Sequence, residues 1–292
     1  MLENRQSRTL AIIKPDAYIH IGKIIDIIHK KGLTISNMKM LKWSYEQAIS
    51  FYTENSTKSS HSFDEIAKFM SSDVIVALEI SADNVVENWL AIIGPENSLT
   101  ARSSAPNTIR ALFGSDSIKN AVHGSESITA ASKEINFIFN APNSYTMTAL
   151  LNNCTCLMIK PDAIEGGHAG KIIDTILDEG FEISALEQFK LSQNATEEFF
   201  EVYKGILPEF MQMVEHVSSA PIIVMEVRQE NAVQALRKII GPHDPEIARH
   251  SHPGTIRAKY GIDRVNNAVH CTDLVEDGVL ECEYFFSILQ KK

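Results

Sequence analysis

The chain has 292 residues, 44% apolar and 22% charged, with a formal net charge of −10. That size and balance suit two domains of ordinary globular composition. The acidic surplus argues against broad binding to nucleic acid or anionic membranes, and no run approaches the ~18 apolar residues of a membrane span.

Met1 to Arg5 lead straight into an apolar strand pattern, so no secretory segment is expected. The four cysteines, Cys154, Cys156, Cys271 and Cys282, show neither paired metal spacing nor a disulfide framework. A reducing, cytoplasmic setting is therefore expected. Arg8–Ile13 reads as a first strand ending in the turn Lys14-Pro15-Asp16. Ile24, Ile25 and Ile28 then recur at helical spacing, and Gly32 stops that helix. A strand is expected over Leu33–Leu41, then two helices ending near Met70, then a strand from Val74. Another helix stops at Gly94-Pro95. Pro95 to about Ile118 reads as a long irregular stretch, and loops of that length in a compact domain are usually functional. The block Asn120-Ala121-Val122-His123 forms the last strand, followed by a closing helix.

The same order then returns. Ile159-Lys160-Pro161-Asp162-Ala163 repeats Ile13–Ala17, Gly241-Pro242 repeats Gly94-Pro95, Thr255-Ile256-Arg257-Ala258 repeats Thr108–Ala111, and Asn267-Ala268-Val269-His270 repeats the histidine block. Offsets of 146 to 147 residues mean a duplicated globular domain, not a solenoid unit. The expected limits are a first domain over 1–140, a linker over 141–152 and a second domain over 153–292. The order β-α-β-α-β-α-β, with helical insertions, is the split βαβ plan. It predicts an α+β fold of two tandem ferredoxin-like domains, each a four-stranded antiparallel sheet with helices on one face.

Of ten histidines, only His123 and His270 fall at matching positions in this reading. For one such residue alone, a packed core histidine is the commoner case. Their company shifts the balance. Lys14 and Lys160, and Arg110 and Arg257, recur in register. A glutamate follows each histidine by eleven positions, Glu134 and Glu281, and a hydroxyl by two, Ser125 and Thr272. A histidine nucleophile needs a carboxylate to fix its tautomer and steady the cation that forms. Lysine and arginine hold phosphoryl oxygens. No glycine-rich phosphate loop is present, so side chains must do the holding. His250-Ser251-His252 has no counterpart in the first copy and reads as a solvated loop. Cys154-x-Cys156 reads as plain strand sequence. Tyr52 lies on a helix face and is a candidate to stack on a base, although a core or surface aromatic is the commoner case.

Together, Lys-Pro-Asp on a first strand, Gly-Pro before a long loop, Thr-Ile-Arg and Asn-x-x-His resemble nucleoside diphosphate kinase, twice over nearly the whole chain. The tandem arrangement and Ala268–Asp273 are most similar to the family's two-domain, seventh-member type, which is linked to ciliary axonemes and centrosomes. The short N-terminal accessory domain usual in that type is not expected here. The resemblance implies ping-pong phosphotransfer from a nucleoside triphosphate to a diphosphate. Magnesium is carried on the nucleotide phosphates, with no direct protein ligand. It implies His123 and His270 as nucleophiles, oriented by Glu134 and Glu281 with help from Ser125 and Thr272. It assigns Lys14 and Lys160 to phosphates and sugar, Arg110 and Arg257 to phosphates, and Asn120 and Asn267 to the ribose. It also implies that the two domains pair as a pseudo-dimer.

There are departures from the family pattern. A further phosphate-binding arginine survives as Arg237 but is Leu90 in the first copy. A phosphate-binding threonine is replaced by Glu96 and His243, and a base-stacking phenylalanine by Ser62 and Glu209. The tyrosine that supports the histidine survives as Tyr52 but becomes Phe200. The glycine after the histidine is Gly124 in one copy and Cys271 in the other, a change expected to crowd the second site. A weakened kinase is thus expected. The alternative is a structural component of axonemal microtubules or centrosomal complexes, with tubulin or its neighbours as partners and little or no catalysis. Neither nucleic acid nor a membrane is expected as a partner, and a cytoskeletal location follows from the resemblance.

Overall fold

A computed structural model describes residues 7–55, 62–140 and 145–291. The chain divides into two compact units, Met1–Thr148 and Ala149–Lys292. Unit one contains β1 (Ser7–Ile13), β2 (Thr34–Leu41), β3 (Ile75–Ala82) and β4 (Val122–Gly124), in the sheet order β4-β1-β3-β2 with every pairing antiparallel. Unit two repeats this with β5 (Cys154–Ile159), β6 (Glu182–Phe189), β7 (Ile222–Arg228) and β8 (Val269–Cys271), in the order β8-β5-β7-β6. Both units are the ferredoxin-like plan expected from the repeat. Even the irregularity in register recurs, between Ile35 and Asn37 in β2 and between Ile183 and Ala185 in β6. Among the described residues no helix is long and apolar enough to cross a membrane.

The helix after the Lys-Pro-Asp turn spans Ile21–Lys30 in unit one and Ala169–Asp178 in unit two. Gly32 and Gly180 end them at φ of 74° and 81°. The amides of Gly32 and Leu33, and of Gly180 and Phe181, donate back to the last helical turn.

Helices do not keep to one face of the sheet, which corrects the expectation. Leu10 and Ile12 of β1 pack into a cluster with Trp43, Phe51, Tyr52, Met70 and Ile135. Successive strand residues point to opposite faces, yet Thr9, Ala11 and Ile13 are as buried as their neighbours. The helices Ile21–Lys30 and Val85–Ile93, whose buried residues lie outside that cluster, cover the second face. The unbroken apolar run Leu10–Ile13 carries this signal, because only a strand covered on both sides lacks polar alternation. In unit two the corresponding cluster holds Cys154, Cys156, Met158, Phe200, Phe210, Cys282 and Phe285.

The stretches after Gly94 and Gly241 are not irregular either. Ser98–Ser104 and Pro245–Ser251 are helical, as are Ile109–Phe113 and Ile256–Tyr260. Asn97 and Asp244 cap the first helix of each pair, and Pro245 sits at its start. These helices are too short for apolar periodicity to reveal them. Of the segment expected as a linker, residues 141–144 lie outside the described residues. Tyr145 donates to the Phe137 carbonyl at 2.7 Å within unit one, while the amides of Leu150 and Leu151 donate to Glu226 within unit two.

Candidate active site

Each candidate histidine sits at the middle of a three-residue edge strand, His123 in β4 and His270 in β8. The residue two before it is an alanine with φ of 68° in both units, Ala121 and Ala268. That conformation is rare for a residue bearing a Cβ. It closes a three-residue turn, in which the amide of Val122 or Val269 donates at 2.8 Å to the carbonyl of Asn120 or Asn267. An aspartate holds the turn from outside. The Ala121 amide donates to Asp16 Oδ2 at 3.0 Å, and the Ala268 amide to Asp162 Oδ2 at 2.9 Å. The aspartate of Lys-Pro-Asp therefore pins the backbone that aims the histidine. Sequence reasoning missed this role, and only recurrence of the aspartate hinted at it.

The two histidines meet the glutamates expected of them. His123 Nε2 lies 3.0 Å from Glu134 Oε2, and Ser125 Oγ donates to the same oxygen at 2.6 Å. In unit two His270 Nε2 lies 2.9 Å from Glu281 Oε2, and Thr272 Oγ1 donates to it at 2.9 Å. Ser125 and Thr272 also accept the amides of Leu10 and Cys156, each at 3.2 Å, so the hydroxyl is tied to the central strand. With Nε2 committed to the carboxylate, Nδ1 is the nitrogen left to react.

The cations converge on the same place. Arg110 donates to the carbonyls of Gly94 at 2.9 Å and Val122 at 3.2 Å, and Arg257 to those of Gly241 at 3.0 Å and Val269 at 3.1 Å. Gly94 and Gly241 have φ of 80° and 85°, and a Cβ at either would strike Thr108 or Thr255. In both arginines Nε is buried with no hydrogen-bond partner. A buried unpaired donor is costly, and a phosphate oxygen would satisfy it. Lys14 Nζ donates to Asn120 Oδ1 at 2.7 Å and Lys160 Nζ to Asn267 Oδ1 at 2.7 Å. Burial lowers these ammonium groups to about 8 for Lys14 and about 7 for Lys160, and the neighbouring Arg110 and Arg257 push the same way. Asn120 and Asn267 are almost wholly buried, and their amides also donate to the loop carbonyls of Glu96 and His243. The oxygen of each asparagine thus positions a lysine, and its amide nitrogen holds the loop carbonyl.

The nucleoside diphosphate kinase family model matches residues 7–143 and again 153–290. The chain belongs to the nucleoside diphosphate kinase family. It is 44% identical over 290 residues to nucleoside diphosphate kinase homolog 7 of Rattus norvegicus, covering 99% of this chain and 73% of that protein. This agrees with the tandem type expected from the sequence. A nucleoside diphosphate kinase of Aquifex aeolicus is 40% identical over 136 residues, covering 47% of this chain and 95% of that one. A crystal structure of the Aquifex aeolicus protein covers 46% of this chain and 96% of its own at 41% identity, with a TM-score of 0.44.

The two kinase-family clefts differ where the sequence departs from the family pattern. The cleft of unit two has a volume of about 570 Å³ and is lined by Lys160, Arg237, Arg257, Arg264 and His270. That of unit one has about 160 Å³, with Leu90 in place of Arg237 and Glu96 on its wall. Arg237 forms an ion pair with Asp273, whose other oxygen accepts the Tyr203 hydroxyl at 2.6 Å. Burial pushes the His243 imidazole down to about 4, and the cations of Arg257, Lys160 and Arg264 add to it, so the ring is neutral at pH 7. Ser62 caps the helix Phe63–Met70, and Glu209 pairs with Arg264 at 2.9 Å, so neither offers an aromatic face.

Tyr52 is buried, with its ring edge-on to His123 at 6.1 Å between centroids. It packs on the imidazole rather than lying free to stack on a base. Phe200 does the same against His270 at 5.5 Å. Cys271 does not crowd the second site as expected. A Cβ on Gly124 would meet the Trp89 ring at 2.7 Å, but the residue at the Trp89 position of unit two is the smaller Leu236. The exchange of glycine for cysteine is offset by that of tryptophan for leucine. A second matched histidine pair also emerges. His20 and His168 each precede the helix after Lys-Pro-Asp, and they stack on Phe113 and Tyr260 at 4.6 Å. The first copy is shorter before Gly22, and that had hidden the correspondence.

Proposed function

We propose that this chain carries phosphoryl groups between nucleoside tri- and diphosphates through a phosphohistidine, with the second cleft as the working site. The observation that carries the reading is the lock of Nε2 onto a glutamate in both units, buried Glu134 and partly buried Glu281, which leaves Nδ1 as nucleophile. In the first half-reaction Nδ1 attacks the γ-phosphorus. The N–P bond forms as the P–O bond to the β-phosphate breaks, and the diphosphate leaves. The glutamate steadies the imidazolium character that develops. In the second half-reaction a terminal oxygen of another diphosphate attacks the phosphohistidine and regenerates the imidazole. Arg257, Arg237 and Lys160 take the charge on the transferring oxygens. Magnesium would enter on the nucleotide phosphates as part of the substrate, as the family resemblance implies.

The test is transfer from ATP to a nucleoside diphosphate with magnesium, in wild type, His123→Ala, His270→Ala and the double variant. Activity lost with His270→Ala and largely kept with His123→Ala supports the reading. Wild-type inactivity, or activity surviving in the double variant, overturns it. A second reading rests on Leu90, Glu96 and the small first cleft. In it unit one is a structural module for axonemal microtubules or centrosomal complexes, in a cytoplasmic, cytoskeletal setting. Co-sedimentation with microtubules, unaffected by His270→Ala, is its expected signature.

A further inference from the structure

We propose that Cys154, Cys282 and Glu226, with Cys156 beside them, form a binding site for a thiophilic divalent cation such as zinc inside unit two. Cys154 and Cys156 project from the same face of β5, and Glu226 of β7 is paired directly with Cys156. Cys282 comes down onto that face from the helix Gly278–Glu283. Its thiol is in contact with those of both Cys154 and Cys156. The ligand atoms of Cys154, Glu226 and Cys282 all lie within 4.8 Å of one another. Zinc–sulfur bonds of about 2.3 Å place tetrahedral ligands about 3.8 Å apart, so closure requires shifts of about 1 Å. Three sulfurs and one carboxylate oxygen complete a closed, four-ligand set.

Unit one supplies the contrast. There Arg8 meets Glu79 at 2.6 Å. By strand register Glu79 corresponds to Glu226, Leu10 to Cys156 and Arg8 to Cys154. Ile135, the residue after Glu134, corresponds to Cys282. Unit two has therefore lost the cation opposite this carboxylate and gained three thiols around it. Glu226 is 0% exposed, against 7% for Glu79. Its partners are neutral donors: the Leu150 amide at 2.7 Å, the Ser184 hydroxyl at 2.5 Å and the Leu151 amide at 3.2 Å. Arg228, across from Cys154, turns instead to Glu182 and Asn152. A buried carboxylate without a counter-charge is strongly disfavoured. A divalent ion returns the charge that Arg8 provides in unit one. On coordination the thiol protons pass to solvent, and loading weakens as pH falls. Sequence spacing hid the site, because Cys282 and Glu226 lie far from Cys154 along the chain.

The ion would tie β5 and β7 to the helix that carries Glu281, next to Cys282 and bonded to His270. Its role is structural and does not depend on phosphotransfer.

The test uses the full chain, purified under reducing conditions and stripped with chelator. Cobalt(II) is expected to bind at one per chain with an intense thiolate-to-cobalt charge-transfer band and tetrahedral visible bands. Zinc should displace it and raise the melting temperature. Cys154→Ser and Cys282→Ser should lose the band, whereas Cys271→Ser, outside the cluster, should keep it. Circular dichroism reports whether each variant folds, and wild type decides the matter where one does not. A folded wild type with all four thiols titrating free that shows no charge-transfer band and keeps no zinc overturns the proposal. So does a band that survives loss of both Cys154 and Cys282.

Discussion

Asp273 holds Arg237, the arginine that unit one lacks, and replacing it with asparagine tests what that contact does. Both side chains are near half exposure, 45% for Arg237 and 47% for Asp273. Pairs of that exposure contribute about 0.2–1 kcal/mol. A nucleotide phosphate must take Arg237 from this carboxylate, so Asp273→Asn should tighten binding in the second cleft by about 1.4- to 5-fold. The asparagine oxygen can still accept the Tyr203 hydroxyl, which keeps the local structure. Removing Arg237 itself forfeits a charged hydrogen bond of about 1.5–3 kcal/mol, and binding should weaken roughly ten- to hundredfold. The assay is calorimetric titration with magnesium–ADP in a background carrying Arg110→Ala to silence the first cleft. Asp273→Asn should help less when Arg237→Ala is also present. Weaker binding in Asp273→Asn would show that the carboxylate orients Arg237 for the phosphate instead of competing for it. A gain above about tenfold would mean that the pair is far stronger than its exposure allows. Either result refutes the reasoning.

The other predictions concern both clefts and their packing. Leu90→Arg with Glu96→Thr should raise nucleotide affinity of the first cleft by about tenfold or more, read by titration in an Arg257→Ala background. Lys160 is lowered to about 7 and Lys14 to about 8, so the free protein loses these charges as pH rises through those values, and bound phosphate favours the charged forms. Affinity in the second cleft should fall by up to about tenfold per pH unit above 7, with proton uptake on binding, and in the first only above 8; a flat profile from pH 6 to 9 contradicts this. Gly124→Cys should destabilise by about 1–3 kcal/mol in urea unfolding through its clash with Trp89, and Trp89→Leu should recover part of that loss.

Much of this was legible in the sequence because duplication printed it twice. Strand order, the closing helices and the eleven-residue step from histidine to glutamate all follow from motifs in register. The rest depends on neighbours remote in the chain. The hold of Asn120 on Lys14, 106 residues away, shows only once the fold brings the two together. Cys271 is expected to obstruct until Leu236 is seen at the position of Trp89. The capped helices after Gly94 and Gly241 are short enough that only Asn97, or Asp244 with Pro245, mark them. Asp273 gave no signal by itself, since an ion pair is visible only once Arg237 lies beside it.

The kinked alanine before each histidine has a consequence for the sheet itself. A strand paired over only three residues would ordinarily be free to slip, and a slip of one would turn His123 to the opposite face. The turn at Ala121, gripped by Asp16, acts as a register stop. It turns the Ala121 amide away from β1 to Asp16, while the Ala121 carbonyl still accepts the Lys14 amide at 2.9 Å, so two-way pairing with β1 ends at that residue. The position of the histidine is thus counted from the kink and not from the length of the ladder. Val-His-Gly in one unit and Val-His-Cys in the other can drift in composition while the imidazole keeps its side of the sheet.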